Sequence, residues 1–338
     1  MEIVADYQAL TDGAVLGALA PRGQIAVAGK DRAAYLQGLL TNDIQALGPG
    51  TGCYAAWLTP QGRLVTDMHV LESGEMILLD VPADLVESIL QRLDQFLFAE
   101  DVRLGDLRGS LQGVWIHGGG AAAVLERALN ESGLAGFADH QNARATFEGS
   151  PIVIARIDQL GVPGYCVYVE PGRAGALEAA LQAAGAVMGT PETLEAARIE
   201  AGTPLFGVDM DTDTIPLEAG IEQQAISLTK GCYVGQEVII RVLHRGHGRV
   251  AKKLVTLKME RRDFSPARGT KVFAGQREIG HVTSAAVSPR LGPIALAYLH
   301  RDFLEPGTRV DVGQPSVTAT VADRLSTAKG AEGSEHAV

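Results

Sequence analysis

The sequence has 338 residues, 46% hydrophobic and 20% charged, with a formal net charge of −11. This length fits two or three soluble domains, each with its own core. The acidic balance argues against non-specific binding to nucleic acid or anionic membranes, which depends on clustered lysine and arginine. The first twenty residues lack a cationic start and a long apolar run. We therefore expect no secretory signal, no membrane span and a cytoplasmic location.

The cysteines indicate a reducing compartment. Cys53, Cys166 and Cys232 are odd in number and widely spaced, which does not suit a disulfide framework. The sequence contains neither a CxxC nor an HxxxH pair, so it predicts no metal site. Three scattered thiols are also too few for a complete four-thiolate iron–sulfur cluster.

The first two thirds of the chain predicts two α+β modules. Asp31 is placed to cap a helix that follows a strand at 24–27 and stops at the turn residues 41–43. Later elements complete the two modules: strands at 53–58, 64–71 and 76–81, a helix at 84–97, a strand at 111–116, a helix at 121–129, strands at 152–157 and 165–169, and a helix at 174–183. Thr190 caps one more helix, with Pro191 at its first position, and Gly202 ends it.

After residue 248 the pattern changes to short, closely spaced strands. They lie at 250–259, 271–273, 278–287, 294–299, 309–312 and 317–321, with Gly and Pro between them. This spacing predicts a small antiparallel barrel or sandwich. The predicted divisions are an N-terminal region at 1–248, a C-terminal β domain at 249–325 and a disordered tail at 326–338.

Two glycine-rich stretches fit the dinucleotide pattern G-x-G-x-x-G/A. The first begins at Gly118 between a predicted strand and a predicted helix, with Asp139 at about the spacing of a ribose-binding acid. No run of βαβ repeats surrounds it, so a simple glycine-rich turn is favoured. The second begins at Gly246 and leads into a strand, which makes it the weaker match.

The stretch LTKGCYVGQEV, 228–238, places Cys232 between two glycines. A thiolate is favoured by positive charge and by a helix N-terminus, and Lys230 and a predicted helix at 236–243 supply both. Gly231 and Gly235 permit a sharp turn. On physical grounds alone, a buried and inert cysteine is the more common case.

Resemblance to a known family makes a functional thiol the favoured interpretation of Cys232. Residues 230–237, KGCYVGQE, resemble the K-G-C-Y-x-G-Q-E signature of the YgfZ family, folate-binding proteins implicated in assembling or maintaining iron–sulfur enzymes. All seven specified positions match. Other segments resemble those shared by YgfZ and the aminomethyltransferase (T-protein) of the glycine cleavage system: 40–43, 198–204, 214–220, 279–284, 288–289 and 295–298. The resemblance covers nearly the whole chain.

The resemblance implies a three-lobed α+β fold: a GcvT-like, folate-binding unit of two α+β lobes, closed by a C-terminal antiparallel β-barrel. The implied cofactor is tetrahydrofolate or a one-carbon derivative. Glu200 matches the glutamate that contacts the pterin, and a carboxylate can accept two hydrogen bonds from a pterin edge. A solvated charge near a helix end is the alternative. The motif residues expected at the cofactor are Lys230, Gly231, Tyr233, Gly235, Gln236 and Glu237.

Residues 62–67, GRLVTD, match the T-protein turn that carries a pair of aspartates. Here Thr66 replaces one acid and Asp67 remains, and this departure weighs against full aminomethyl transfer. Asp67 is therefore either a direct participant or a polar residue on an exposed strand face.

A basic cluster follows the motif and suits a polyglutamyl tail or another anionic partner, or else a solvated linker. Its members are Arg241, His244, Arg245, His247, Arg249, Lys252 and Lys253.

The leading hypothesis is a tetrahydrofolate-binding protein of the YgfZ type that supports assembly or repair of iron–sulfur enzymes, with Cys232 as its essential thiol. Its expected partners are folate and iron–sulfur client or assembly proteins. The thiol could hold iron transiently, reduce a partner or transfer a one-carbon unit. The alternative is a folate-dependent aminomethyltransferase, or a related demethylase, that uses Asp67 as acid or base. A dinucleotide-binding protein is the third hypothesis.

Overall fold

The structure is a computed structural model that describes residues 2–245 and 249–322. The chain begins with helix α1 (Glu2–Asp12) and a two-residue strand, β1 (Val15–Leu16). Although it comes first in sequence, β1 belongs to the second of two sheets. None of the described helices is long and apolar enough to cross a membrane.

The first lobe is an antiparallel sheet with helices on one face. Its elements are β2 (Arg22–Ala28), α2 (Arg32–Gln37), β3 (Thr51–Leu58), β4 (Leu64–Glu72), β5 (Met76–Pro82), α3 (Val86–Asp94) and β6 (Arg103–Asp106). The strand order is β3-β4-β5-β2-β6. Apolar side chains of alternate strand positions pack beneath α2 and α3, as the period of two requires. The predicted strands of this lobe are confirmed.

Two details of helix α2, the helix that follows β2, differ from the prediction. The carboxylate of Asp31 makes no capping bond to the helix and instead accepts a hydrogen bond from the N–H of Asp101 at 2.8 Å. The helix ends at Gln37, so it is shorter than predicted and stops before the turn residues 41–43. A bond to a neighbouring loop has displaced the local cap.

The second lobe is a six-stranded sheet in the order β11-β1-β7-β10-β9-β8. Its elements are β7 (Gln112–His117), α4 (Ala121–Leu129), β8 (Asn142–Phe147), β9 (Ser150–Arg156), β10 (Gly164–Val169), α5 (Pro171–Ala183) and β11 (Val187–Met188). The pairing of β1 with β11 is parallel and the other pairings are antiparallel. The sequence did not predict β8, whose central residues alternate between half-buried and exposed and include few apolar side chains.

The segment after the second lobe carries helices α6 (Pro191–Ala201), α7 (Pro216–Ala219), α8 (Glu222–Ala225) and α9 (Gln236–Arg245). The predicted cap of α6 is confirmed, because Thr190 Oγ1 accepts a hydrogen bond from the N–H of Thr193 at 3.3 Å. Gly202 ends the helix in the left-handed region, at φ 70°. Helices α7, α8 and α9 pack on the far end of β3 and β4.

The C-terminal strands close into a six-stranded antiparallel barrel in the order β12-β15-β14-β13-β16-β17, which confirms the barrel rather than a sandwich. They are β12 (Lys252–Met259), β13 (Lys271–Ala274), β14 (Arg277–Ser288), β15 (Gly292–His300), β16 (Arg309–Val312) and β17 (Val317–Ala322). The guanidinium of Arg198, on α6, is fully buried and joins the barrel to the rest of the protein. It donates to Asp209 at 2.6 Å and to Ser284 at 2.9 Å. The predicted tail at 326–338 and the division at 248 lie outside the described residues.

The glycine-rich turn at Gly118–Gly120 has a packing role. Their N–H groups donate to the carbonyl oxygens of Pro163, Leu10 and Gly13 at 2.8, 3.2 and 2.7 Å. A Cβ on Gly119 would lie 2.2 Å from the carbonyl oxygen of Thr11. Because Pro163 and the end of α1 already use these donors, Gly118–Gly120 do not form a pyrophosphate site. The weaker match that begins at Gly246 lies outside the described residues.

Candidate functional site

A central pocket lies where the two lobes meet the segment that follows α6. It encloses about 690 Å³ of empty space, counting the part that opens to solvent. Polar side chains of both lobes line it: Arg22, Tyr54, Asp67, His69, Asp139, His140, Asp158 and Gln159. The remaining wall comes from residues 201–205 and from Gly220, Ile221 and Gln224.

Asp67 lies on β4 in the wall of this pocket and is only 5% exposed. The hydroxyl of Tyr54 donates to its Oδ2 at 2.8 Å. Its Oδ1 has no hydrogen-bond partner, and the nearest cation is Arg22, whose Nη1 is 4.0 Å away. The alternative that Asp67 lies on an exposed strand face is therefore wrong. A buried carboxylate oxygen without a partner normally implies a missing donor, such as a ligand or water.

A buried network fixes the groups around Asp67. Asp80 is fully buried and accepts hydrogen bonds from Arg22, from Gln24 at 3.1 Å and from Tyr168 at 3.0 Å. Burial, reinforced by the carboxylate of Asp67, raises the pKa of Tyr54 well above its usual value. Tyr54 is therefore a hydrogen-bond donor that orients the carboxylate at neutral pH.

Two histidines meet across the lobe interface at the pocket wall. His69 Nδ1 and His140 Nε2 are 2.9 Å apart, and His140 Nδ1 is 3.0 Å from Asp139 Oδ2. Burial, with contributions from Arg22 and His140, lowers the pKa of His69 well below its usual value. His69 is therefore a neutral imidazole in this structure.

Glu200 is fully buried near the C-terminal end of α6, so the alternative of a solvated charge is wrong. Its carboxylate accepts hydrogen bonds from Tyr7 at 2.7 and 2.8 Å, from Arg290 at 2.7 Å and from Ser288. The neighbouring Ala201 and Gly202 line the pocket, whereas Glu200 does not. The pterin contact expected of Glu200 stays a prediction.

The motif loop, residues 230–237, is anchored by Lys230, a residue that is 8% exposed. Its Nζ donates to the carbonyl oxygens of Gln37, Leu40 and Asn42 at 2.6, 2.7 and 2.8 Å. Burial lowers the pKa of Lys230 to about 8. These contacts join the motif loop to the segment at 40–43. Lys230 thus serves as an anchor for the loop.

Cys232 is exposed at the surface of this loop. Tyr233 is buried against Lys230, whose Nζ lies 5.3 Å from the centre of its ring. Gly231 is exposed, and Gly235 adopts φ 85° immediately before α9. None of these residues lines the central pocket. Their predicted contact with a cofactor stays a prediction.

Gln236 and Glu237 line a separate shallow depression on α9 with Ile240 and Arg241. The basic cluster is only partly described, since the side chains of His244, Arg245 and His247 lie outside the described residues. Of the rest, Lys253 pairs with Glu222 at 2.9 Å, and the ammonium of Lys252 lies 4.8 Å from the ring centre of Tyr298. These two lysines contact the protein itself.

Sequence reasoning found Asp67 but missed the side chains around it. The sequence alone could have placed His69 beside Asp67, because residues i and i+2 of a strand share a face. The same alternation turns Thr66 to the opposite face, so Thr66 does not line the pocket. Nothing comparable marks His140, which lies in a loop at φ 62°.

Comparison with known families assigns both parts of the chain. Residues 2–230 match the GCVT N-terminal domain, and residues 252–325 match the glycine cleavage T-protein C-terminal barrel domain. The chain belongs to the GCVT family.

Aminomethyltransferases are among the relatives of this GCVT-family chain. That of Streptomyces coelicolor is 31% identical over 310 residues, covering 90% of this chain and 82% of the relative. That of Bacillus subtilis is 30% identical, covering 92% and 86%. A putative chloroplastic transferase of Arabidopsis thaliana is 27% identical, covering 90% and 70%. The crystal structure of the aminomethyltransferase of Bartonella henselae shares the fold, with a TM-score of 0.84 at 22% identity over 96% of this chain and 89% of that one.

Proposed function

We propose that this chain binds tetrahydrofolate in the central pocket and transfers a one-carbon unit there, as an aminomethyltransferase or a related demethylase. The observation that carries the proposal is Asp67 Oδ1, a buried carboxylate oxygen without a partner in a polar pocket. Tetrahydrofolate presents N–H donors, including that of the nitrogen that accepts the one-carbon unit, and Asp67 Oδ1 offers the complementary acceptor. The named aminomethyltransferases among the relatives support the same class of reaction.

Each pocket residue has a defined part in this proposal. Tetrahydrofolate supplies the nitrogen atoms that accept the one-carbon unit. Asp67 Oδ1 takes up the proton that the accepting nitrogen loses as the new C–N bond forms, and returns it to the ammonia that leaves as the C–N bond of the donor breaks. Tyr54 holds the carboxylate in place through Oδ2. Arg22 places a positive charge 4.0 Å from Oδ1 and is itself held by Asp80. The Thr66 substitution does not alter this arrangement, because Thr66 does not line the pocket.

The test combines tetrahydrofolate binding with tetrahydrofolate-dependent release of ammonia from an aminomethyl donor. Asp67→Asn keeps the shape and one acceptor oxygen but removes the base. We expect binding to change little and ammonia release to fall by about a hundredfold or more. Arg144→Gln, on an exposed surface pair with Glu75, is the matched control. Full ammonia release by Asp67→Asn would refute the role of Asp67.

A second candidate function is favoured by the exposure of Cys232 in a loop anchored by Lys230. This candidate is a YgfZ-type, folate-binding protein that supports iron–sulfur enzymes through the Cys232 thiol. Complementation of a strain that lacks its native YgfZ protein separates the two. Loss of complementation by Cys232→Ala, with retention by Asp67→Asn, would favour this function. The reverse result would favour the transferase.

A further inference from the structure

Four side chains form a hydrogen-bonded chain along the pocket wall. Gln159 Nε2 lies 3.3 Å from His69 Nε2, His69 Nδ1 lies 2.9 Å from His140 Nε2, and His140 Nδ1 lies 3.0 Å from Asp139 Oδ2. Both histidines are buried, whereas the side chain of Asp139 is 53% exposed. The chain therefore connects a buried point of the pocket to the protein surface.

The partners determine where the protons lie. A carboxylate only accepts hydrogen bonds, so His140 donates to Asp139 from Nδ1. In a neutral His140 the other ring nitrogen, Nε2, is then an acceptor, and His69 must donate to it from Nδ1. This leaves His69 Nε2 as an acceptor, whose hydrogen-bond partner in the described part of the chain is Gln159 Nε2, at 3.3 Å. The proton positions are thus assigned from the hydrogen-bond network.

The surroundings of His69 favour this neutral form. Among the residues that the structure describes, no carboxylate forms an ion pair with its ring, and Arg22 and His140 oppose its protonation. The groups that face it come from β2, β3, β7 and two loops of the second lobe: Arg22, Tyr54, Trp115, His140 and Gln159. On its own strand, Asp67 lies two positions away on the same face.

We propose that His69 is a second hydrogen-bond acceptor for the ligand of the pocket, beside Asp67. His140 and Asp139 hold it in its Nδ1–H form. The pocket would then recognise a ligand that presents two N–H donors, one to Asp67 Oδ1 and one to His69 Nε2, where it replaces the long hydrogen bond from Gln159. His140 and Asp139 are positioning residues, because they act on the ligand only through His69. The inference rests on the proposed function only in placing a ligand in this pocket.

The proton positions are tested by nitrogen NMR of the full chain labelled with ¹⁵N-histidine. We expect the proton of each ring to lie on Nδ1, which leaves Nε2 of both His69 and His140 as an acceptor. Asp139→Ala removes the acceptor of the His140 proton, so both rings should switch to the Nε2–H form. Asp139→Asn retains an acceptor oxygen and should preserve the wild-type signals. His117, buried outside the pocket, is the internal control. An Nε2–H proton on wild-type His69 would overturn the proposal.

Calorimetric titration with tetrahydrofolate tests the recognition step. In Asp139→Ala, the switched ring of His69 presents an N–H donor at Nε2 instead of an acceptor. Tetrahydrofolate should therefore bind about tenfold more weakly to Asp139→Ala, whereas its affinity for Asp139→Asn should stay within about twofold of wild type. If the tautomers switch but the affinity does not change, His69 does not read the ligand. If wild type fails to bind tetrahydrofolate, the proposed function fails, and the NMR result alone decides the state of His69.

Discussion

Gly235 is the residue of the motif loop whose backbone leaves no room for a side chain. It adopts φ 85°, and a Cβ at this position would lie 2.5 Å from the carbonyl oxygen of Thr59 and 3.0 Å from the Cβ of Leu58. Gly231, four residues earlier, has no atom within 4 Å of the same added group and no positive φ. The two glycines of one motif thus offer a matched pair of substitutions.

Gly235→Ala should destabilise the protein by about 1–5 kcal/mol. The left-handed backbone costs about 1–2 kcal/mol for a residue with a Cβ. The contact with Thr59 adds about 1–3 kcal/mol, since a backbone carbonyl must shift. Reduced entropy of the unfolded chain offsets about 0.4–1 kcal/mol of this. Gly231→Ala should change stability by less than about 0.5 kcal/mol, because its surroundings are open.

Urea unfolding followed by tryptophan fluorescence measures both variants. Trp57 is a suitable probe, because it is buried on β3 next to Leu58. The free energy of unfolding in water, at unchanged dependence on urea, gives the comparison. If Gly235→Ala and Gly231→Ala are equally stable, the motif loop does not require glycine at 235 for its fold. The conformational argument would then be refuted.

The other predictions concern buried charge, acid stability and thiol exposure. Arg198→Met should lower the free energy of unfolding in urea by about 3–5 kcal/mol, because it leaves Asp209 buried without its cation. Adding Asp209→Asn should recover part of this loss, and additive effects of the two substitutions would argue against an interaction between the pair. Burial lowers the pKa of His117 to about 4, and the unfolded value is about 6.5, so unfolded chains bind more protons between these values. Stability should therefore fall by about 3 kcal/mol as the pH drops from about 6.5 to about 4, and His117→Gln should flatten this slope in acid titrations of unfolding; an unchanged slope would contradict it. Cys232 should be the first thiol to react with a chromogenic disulfide reagent, because burial raises the pKa of Cys166 well above its usual value; rapid labelling that persists in Cys232→Ser would contradict this.

The sequence predicted most elements because their signals are local. The strands of the first lobe and of the barrel are short runs rich in apolar residues between turn residues, as in β5 and β15. The cap at Thr190 depends on residues three apart. The fold of the lobes depends on longer connections. Strand β1 was not foreseen, since two residues carry no periodicity and its pairing with β7 joins positions far apart in the chain.

The candidate site was predicted only in part for the same reason. Asp67 was identified because its turn resembles a family segment. Its partner Tyr54 and the cation Arg22 come from other strands, and His140 comes from the other lobe. The role of Lys230 also depended on distant atoms, because its three carbonyl partners lie about 190 residues away in sequence.

Glu200 couples the two ends of the described chain. Its carboxylate accepts hydrogen bonds from Tyr7 on α1 and from Arg290, which follows β14 in the barrel. Loss of either partner leaves a buried charge with fewer donors, so unfolding of one end weakens the other. The lobes and the barrel are therefore expected to unfold cooperatively in one transition. A fragment without the barrel is therefore expected to be less stable than the full chain.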